Sequence, residues 1–223
     1  VDGKLEETRV GMAQGGPLSP LLSNVMLNEL DRELEKRGHR FVRYADDCMI
    51  LCKSKRAAER TCESIVRFVE GKLFLKANAE TCVARIDQVK YLGYAFYRCK
   101  GECRFRVHPD SVKAMKERVR ELTARSNAMS NECRPRAARW FVRGWANYFK
   151  LADMKSLLRD IDQWMRRRIR MVYWKQWKRV RTRFKMLQKC GIEKGKARKF
   201  ANIRKAYWRV ANSPIMARAI KTE

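Results

Sequence analysis

The run Tyr44-Ala45-Asp46-Asp47 sets two carboxylates side by side between apolar stretches, Phe41-Val42 before them and Met49-Ile50-Leu51 after. Adjacent like charges repel and Asp is a poor strand residue, so stability alone does not select this pair. A divalent cation removes the repulsion. Two Mg²⁺ ions about 3.5–4 Å apart activate an attacking 3′-hydroxyl and stabilise leaving phosphate oxygens. Taken by itself, the tetrapeptide reads equally as a solvent-facing Asp-Asp turn. A second cluster, Cys99-Lys100-Gly101-Glu102-Cys103 followed by His108, offers three potential zinc ligands. Its spacing is not Cys-x-x-Cys, and Lys100-Gly101 reads as a hairpin turn, so no zinc is expected. The eight cysteines are otherwise dispersed among apolar neighbours. They read as reduced, buried thiols of a cytoplasmic protein.

A third pattern is arginine interleaved with tryptophan. The chain of 223 residues carries 52 Lys+Arg against 24 Asp+Glu, a net charge of +28. Residues 1–110 hold 20 basic and 16 acidic side chains, whereas 111–223 hold 32 and 8. Within 164–209, 18 basic residues face one acid, Glu193, and all six tryptophans lie beyond residue 139. Self-repulsion on that scale calls for a polyanion, and nucleic acid fits better than an anionic membrane surface because no clean basic-amphipathic split is present. An apolar content of 45% excludes a disordered basic tail. No apolar run approaches the roughly 18 residues of a membrane span.

The elements that must position these groups follow from periodicity. A helix is predicted over 21–37 with Leu27, Leu30 and Leu34 on one face and Gly38 at its end, then short strands at 41–44 and 48–51 around the Asp-Asp turn. A second helix over 55–70 ends at Gly71, and strands are predicted over 73–77, 89–97 and 104–107. From residue 110 the pattern turns helical: a helix capped by Asp110-Ser111, another over 136–151, a long one over 154–179 capped by Asp153, and a last one near 196–210 ended by Pro214. This gives an α+β unit over 1–110 and an all-helical unit over 111–223. On the long helix, Leu158, Ile161, Met165, Ile169 and Val172 form the core stripe. Arg167, Arg170, Trp174, Trp177 and Arg181 recur on the opposite side at spacings of 3 and 4. Burial is favoured for the two tryptophans as large aromatics, and RNA contact for the bases. If exposed, Trp174 and Trp177 would stack unpaired bases, beside phosphate contacts from Arg166, Arg167, Arg170, Lys175, Lys178, Arg179 and Arg181.

Four separated motifs stand in a recognisable order. Gln14-Gly15-Gly16-Pro17-Leu18-Ser19-Pro20 precedes the Asp-Asp turn; Leu73-Phe74-Leu75-Lys76-Ala77-Asn78 and Tyr91-Leu92-Gly93-Tyr94 follow it. Further on come Arg143-Gly144-Trp145-Ala146-Asn147-Tyr148-Phe149, Trp174-Lys175-Gln176-Trp177-Lys178 and Tyr207-Trp208-Arg209-Val210-Ala211-Asn212-Ser213-Pro214. Nearly the whole chain resembles the palm and the thumb, or maturase region, of group II intron-encoded reverse transcriptases.

The resemblance implies a partial palm followed by a helical thumb, RNA-directed DNA synthesis with Mg²⁺, and binding of structured intron RNA to assist splicing. RNA/DNA hybrid and target DNA are implied as further partners, with no membrane. Asp46 matches the metal-binding carboxylate, with Asp47 beside it. Gln14, Gly15, Tyr44 and Ala45 match the nucleotide and template pocket, and Leu92 and Gly93 the hairpin that grips the primer end. Two departures are visible: Ala13 stands where the family usually has Pro, and no Lys follows Asn78 in Ala79-Glu80-Thr81-Cys82. The family's fingers and its other metal carboxylate lie upstream of the first motif, so this chain by itself is expected not to polymerise unless a second chain supplies them. The alternatives are an RNA-binding splicing cofactor without polymerase activity and a reverse transcriptase relative from a non-intron system.

Overall fold

A computed structural model describes residues 16–221. They form an α+β chain that gathers into two compact units divided between Tyr91 and Leu92.

The first unit is built on two helices and a hairpin. Helix α1, Ser19–Lys36, starts on Pro20 and buries Leu30 and Leu34. Its end is a Schellman arrangement: His39 N donates to the Leu34 carbonyl at 3.0 Å and Gly38 N to that of Glu35 at 2.9 Å, with Gly38 at φ +69°. Strands β1, Arg40–Tyr44, and β2, Asp47–Leu51, pair antiparallel in the register Arg40↔Leu51 to Tyr44↔Asp47. Helix α2, Lys55–Lys72, is capped by Ser54, whose hydroxyl accepts from Ala57 N. Leu30, Leu34 and Ile65 make the core of this unit, with Leu27, Phe41, Ile50, Phe68 and Val69 packed around it. Two expectations fail here. Gly71 does not end α2, which runs one residue further. Residues 73–77 pair with nothing as a strand, for Phe74 takes φ +54° and is 88% exposed. The unit closes with β3, Lys90–Tyr91.

The second unit opens on a hairpin, β4, Tyr94–Cys99, and β5, Glu102–Val107, joined by Lys100-Gly101 at φ +51° and +84° as the sequence predicted. The predicted strand over 89–97 is broken at Leu92 and Gly93, which both take positive φ and turn the chain. This hairpin belongs with the helices that follow, although the sequence reading grouped it with residues 1–110. Val107 is buried with Phe149 and Met154, and the Tyr94 ring stands edge-on to Phe149 at 5.0 Å.

Helices α3, Pro109–Leu122, α4, Cys133–Tyr148, and α5, Lys155–Gln176, then bury a common core of Met115, Val119, Ala138, Ile161, Met165 and Ile169. The caps differ from expectation. His108 caps α3 through Nδ1, which accepts from Asp110 N at 3.2 Å. Asp153 does not cap α5; its carboxylate accepts from the Tyr97 hydroxyl at 2.6 Å and from Arg104. The turn between α3 and α4 is organised around Arg134, 2% exposed, whose guanidinium donates to Asn131 Oδ1, Asn127 Oδ1 and the Met129 carbonyl. A buried cation held at both terminal nitrogens by neutral acceptors, its Nε buried without a partner among the described residues, fixes this loop's path.

The last segment divides more finely than predicted, into α6, Val180–Lys189, α7, Lys194–Ala201, α8, Tyr207–Ala211, and α9, Pro214–Ala219. Gly195 lies inside α7, and Pro214 begins α9 where it was expected to end a helix. Trp174, Trp177, Leu187, Ile192, Phe200, Val210 and Met216 make a second helical core.

Candidate polymerase turn and nucleic-acid interface

The Asp-Asp turn is held by the residue two places before it. Arg43 Nε donates to Asp31 Oδ1 at 2.8 Å and Nη2 to Asp31 Oδ2, a bidentate pair. Nη1 of the same side chain donates to Asn24 Oδ1 at 3.0 Å and to the Ala45 carbonyl at 2.8 Å. Both charged groups are largely buried, at 13% and 22% exposure, and Asp31 holds the guanidinium above its ordinary range. Ala45 needs the support: its φ of +53° is left-handed, a conformation that carries about 1–2 kcal/mol for an L-residue. From the other side the Tyr91 hydroxyl reaches the carbonyls of Val42 and Asp47 at 3.4 and 3.3 Å. Arg43, Asp31, Asn24 and Tyr91 are positioning residues the sequence reading missed. Only the basic residue inside the strand and the acid on the preceding helix hinted at them.

Asp46 and Asp47 themselves stand exposed, with Tyr44 and Ala45 exposed beside them. Gln14 and Gly15 lie outside the described residues. The second expected grip is tightly packed in its own unit. The Gly93 carbonyl accepts from His108 N at 2.9 Å and from Ser111 Oγ at 3.1 Å, and the Leu92 carbonyl from the Tyr148 hydroxyl at 3.1 Å. A Cβ at Gly93 would stand 2.9 Å from Ser111 Oγ and 3.0 Å from Phe149 Cζ, so glycine is required by space as well as by φ.

On the basic helix the favoured burial of both tryptophans holds, while several of its cations depart from the expected RNA contact. Trp174 is 1% exposed and Trp177 5%. Neither offers a face to a base, because the second half of α5 meets a second core on its other side. Several of the cations expected on RNA are engaged within the fold. Arg167 donates from Nε to the Trp208 carbonyl at 3.0 Å and lies 4.1 Å over the Trp208 ring. Arg166 bonds Asp162 at 2.8 Å, and Lys175 Nζ sits 5.6 Å from the Tyr207 ring. Arg170 is half-buried; burial, and then Arg166 beside it, pull its guanidinium below the ordinary arginine value. Arg120 and Arg168 flank Trp164 at 5.7 and 5.4 Å. Lys178, Arg179 and Arg181 are exposed as anticipated, at the junction of α5 and α6. Beside that expectation stand Arg198, Lys199, Arg204 and Lys205, exposed around the end of α7, which only the overall charge excess signalled.

The cysteines are less buried than expected. All eight are free thiols, Cys48, Cys82, Cys103 and Cys133 exposed and the rest half-buried. Cys99 and Cys103 face Glu102 and Arg98 across the β4–β5 ladder.

Two family models match. Reverse transcriptase (RNA-dependent DNA polymerase) covers residues 3–96, and the group II intron maturase-specific domain covers 112–191. The chain belongs to the group II intron reverse transcriptase/maturase family. No curated protein matches it. By family it is an RNA-directed DNA polymerase whose partner is nucleic acid, and the maturase match selects the intron-encoded reading over a relative from a non-intron system.

Reverse transcriptases of this family use Mg²⁺. Among the described residues no group of three or more His, Cys, Asp or Glu gathers to hold a metal ion. Asp46 and Asp47 alone fit the ion in kind: Mg²⁺ favours carboxylate oxygen and is commonly bound by one or two carboxylates completed by substrate phosphates and water. When bound there, Mg²⁺ would supply charge neutralisation at phosphate oxygens and a lowered pKa for an attacking hydroxyl. The chain's own contribution is rigidity, since Arg43 and Tyr91 fix the turn from which both carboxylates project.

Proposed function

We propose that the helical unit binds structured intron RNA and assists its folding and splicing, and that Asp46 and Asp47 are the Mg²⁺-binding carboxylates of RNA-templated DNA synthesis. Tyr44 and Ala45 border the nucleotide, and Leu92 and Gly93 support the primer end. RNA/DNA hybrid and target DNA are further partners of the same basic surface. The observation that carries this reading is that Lys178, Arg179, Arg181, Arg198, Lys199, Arg204 and Lys205 are all exposed in a stretch, 164–209, whose one acid is Glu193. Such a surface meets phosphate rather than protein acids.

The test is a titration of one structured intron RNA and one unrelated RNA across a salt series, with wild type and Lys178→Gln/Arg179→Gln/Arg181→Gln. Loss of affinity for both RNAs, with a salt slope shallower by about 2, is expected from three lost contacts at roughly 0.7 each. An unchanged slope would place the RNA elsewhere. A splicing assay with the intron RNA, run with and without the protein, then separates a maturase from a general RNA binder.

A further inference from the structure

We propose that the outer face of α4 is an RNA-binding surface that recognises unpaired bases, with Trp140 as the stacking platform and Arg136, Arg139 and Arg143 as the phosphate contacts around it. The proposal rests on the reading that the helical unit binds RNA, and it names a site that reading does not contain.

Helix α4 separates its residues sharply. Ala138, Phe141, Val142 and Trp145 pack into the core shared with α3 and α5, and Phe149, just past the helix, into the neighbouring core. Arg136, Arg139, Trp140, Arg143 and Asn147 fall on the other side, and every one is exposed. Their spacing of 3, 1, 3 and 4 keeps them on one face. Trp140 is 70% exposed, while the other five tryptophans are buried or half-buried. An indole left in water on a helix that has a core available is a poor choice for stability, since it is the largest apolar side chain to leave unburied.

The surroundings say what covers it. Arg136, Arg139 and Arg143 form no ion pair among the described residues, although Arg167 and Arg183 elsewhere in this unit stack on tryptophan rings. No acid occurs in the sequence between Glu132 and Asp153. A protein partner would have to set several acids around an apolar pocket to match this pattern, whereas nucleic acid repeats it along every strand. A nucleic-acid strand supplies both needs, phosphates one helical turn either side of the indole and a base to lie on it. A fully paired duplex keeps its bases stacked on each other, so the partner is RNA with a loop, bulge or single-stranded segment.

The experiment uses the full chain and two RNAs of equal length, a stem-loop with a purine-rich loop and a perfect duplex. Affinities are measured at several salt concentrations for wild type, Trp140→Ala, Trp140→Phe and Arg136→Gln/Arg139→Gln/Arg143→Gln. Trp140→Ala is expected to weaken stem-loop binding about tenfold, to leave the salt slope unchanged, and to alter duplex binding less than about twofold. Trp140→Phe should recover most of the loss, and the triple arginine variant should weaken both RNAs and flatten the slope by about 2. Stem-loop affinity unchanged in Trp140→Ala, or an equal loss on both RNAs, overturns the proposal while leaving RNA binding by the unit intact. A wild-type chain that binds neither RNA overturns both together.

Discussion

Helices α4 and α5 have nearly the same ingredients, arginines and tryptophans among apolar residues, and use them in opposite ways. On α4 the exposed tryptophan, Trp140, lies among free arginines. On α5 the tryptophans go inside, and the arginines near them turn inward to rings and carbonyls. The difference lies in how many cores each helix serves. A helix of 16 residues with one apolar stripe leaves its far side to solvent. One of 22 residues meets α3 and α4 along its first half and α6 to α9 along its second, so the stripe that is half-buried at Arg167 and Arg170 is fully inside at Trp174.

The comparison breaks most readily at the tryptophans. Trp174→Ala should destabilise the chain by about 3–5 kcal/mol, because it empties a filled site among Trp177, Phe200 and Leu187. Trp140→Ala should stay within about 1 kcal/mol in the same urea unfolding measurement. Equal losses at the two positions would mean that α4's outer face is covered within the fold. The arginines give a smaller contrast. Arg167→Gln gives up the 3.0 Å bond to the Trp208 carbonyl and the ring contact, for an expected loss of about 1–2 kcal/mol. Arg181→Gln should leave stability within about 0.5 kcal/mol and weaken RNA binding instead. The smallest effect is chemical. Burial raises the Cys190 thiol above its ordinary value, with Lys189 opposing, so its thiolate fraction is reduced at any pH below that raised value. Alkylation at pH 8, followed by mass spectrometry, should label Cys190 roughly several-fold more slowly than exposed Cys133, and the gap should narrow as pH rises.

What was legible in the sequence was local. The Asp-Asp hairpin, the Lys100-Gly101 turn, the Gly38 stop and the stripes of α1 and α5 depend on neighbours within a few residues, and all are where the pattern put them. What was not legible depends on distant partners. Asp153 has the right identity for a cap, yet Tyr97 and Arg104 of a remote hairpin hold its carboxylate. Residues 73–77 are apolar enough for a strand, but no ladder partner among the described residues comes to them. Burial of Trp174 and Trp177 was favoured on their size, but their helical spacing is that of an outer face and did not show that α6 to α9 would cover them. At the Asp-Asp turn the carboxylates were visible and their scaffold was not, because Asp31 and Arg43 belong to different elements and no spacing rule joins them.

The clamp made by Arg43 also limits how this chain can vary. Asn24 and Asp31 are seven residues apart on α1, two turns along one side of the helix, and Arg43 reaches both while holding the Ala45 carbonyl. The segment between α1 and β1, residues 37–39, is therefore measured from both ends. Most surface connections tolerate insertions because nothing registers their length. One extra residue here would rotate β1 by one position, exchange the two faces of the hairpin, and move Arg43 away from the helix. The number of residues from Asp31 to Arg43 is thus set by the arginine that spans it.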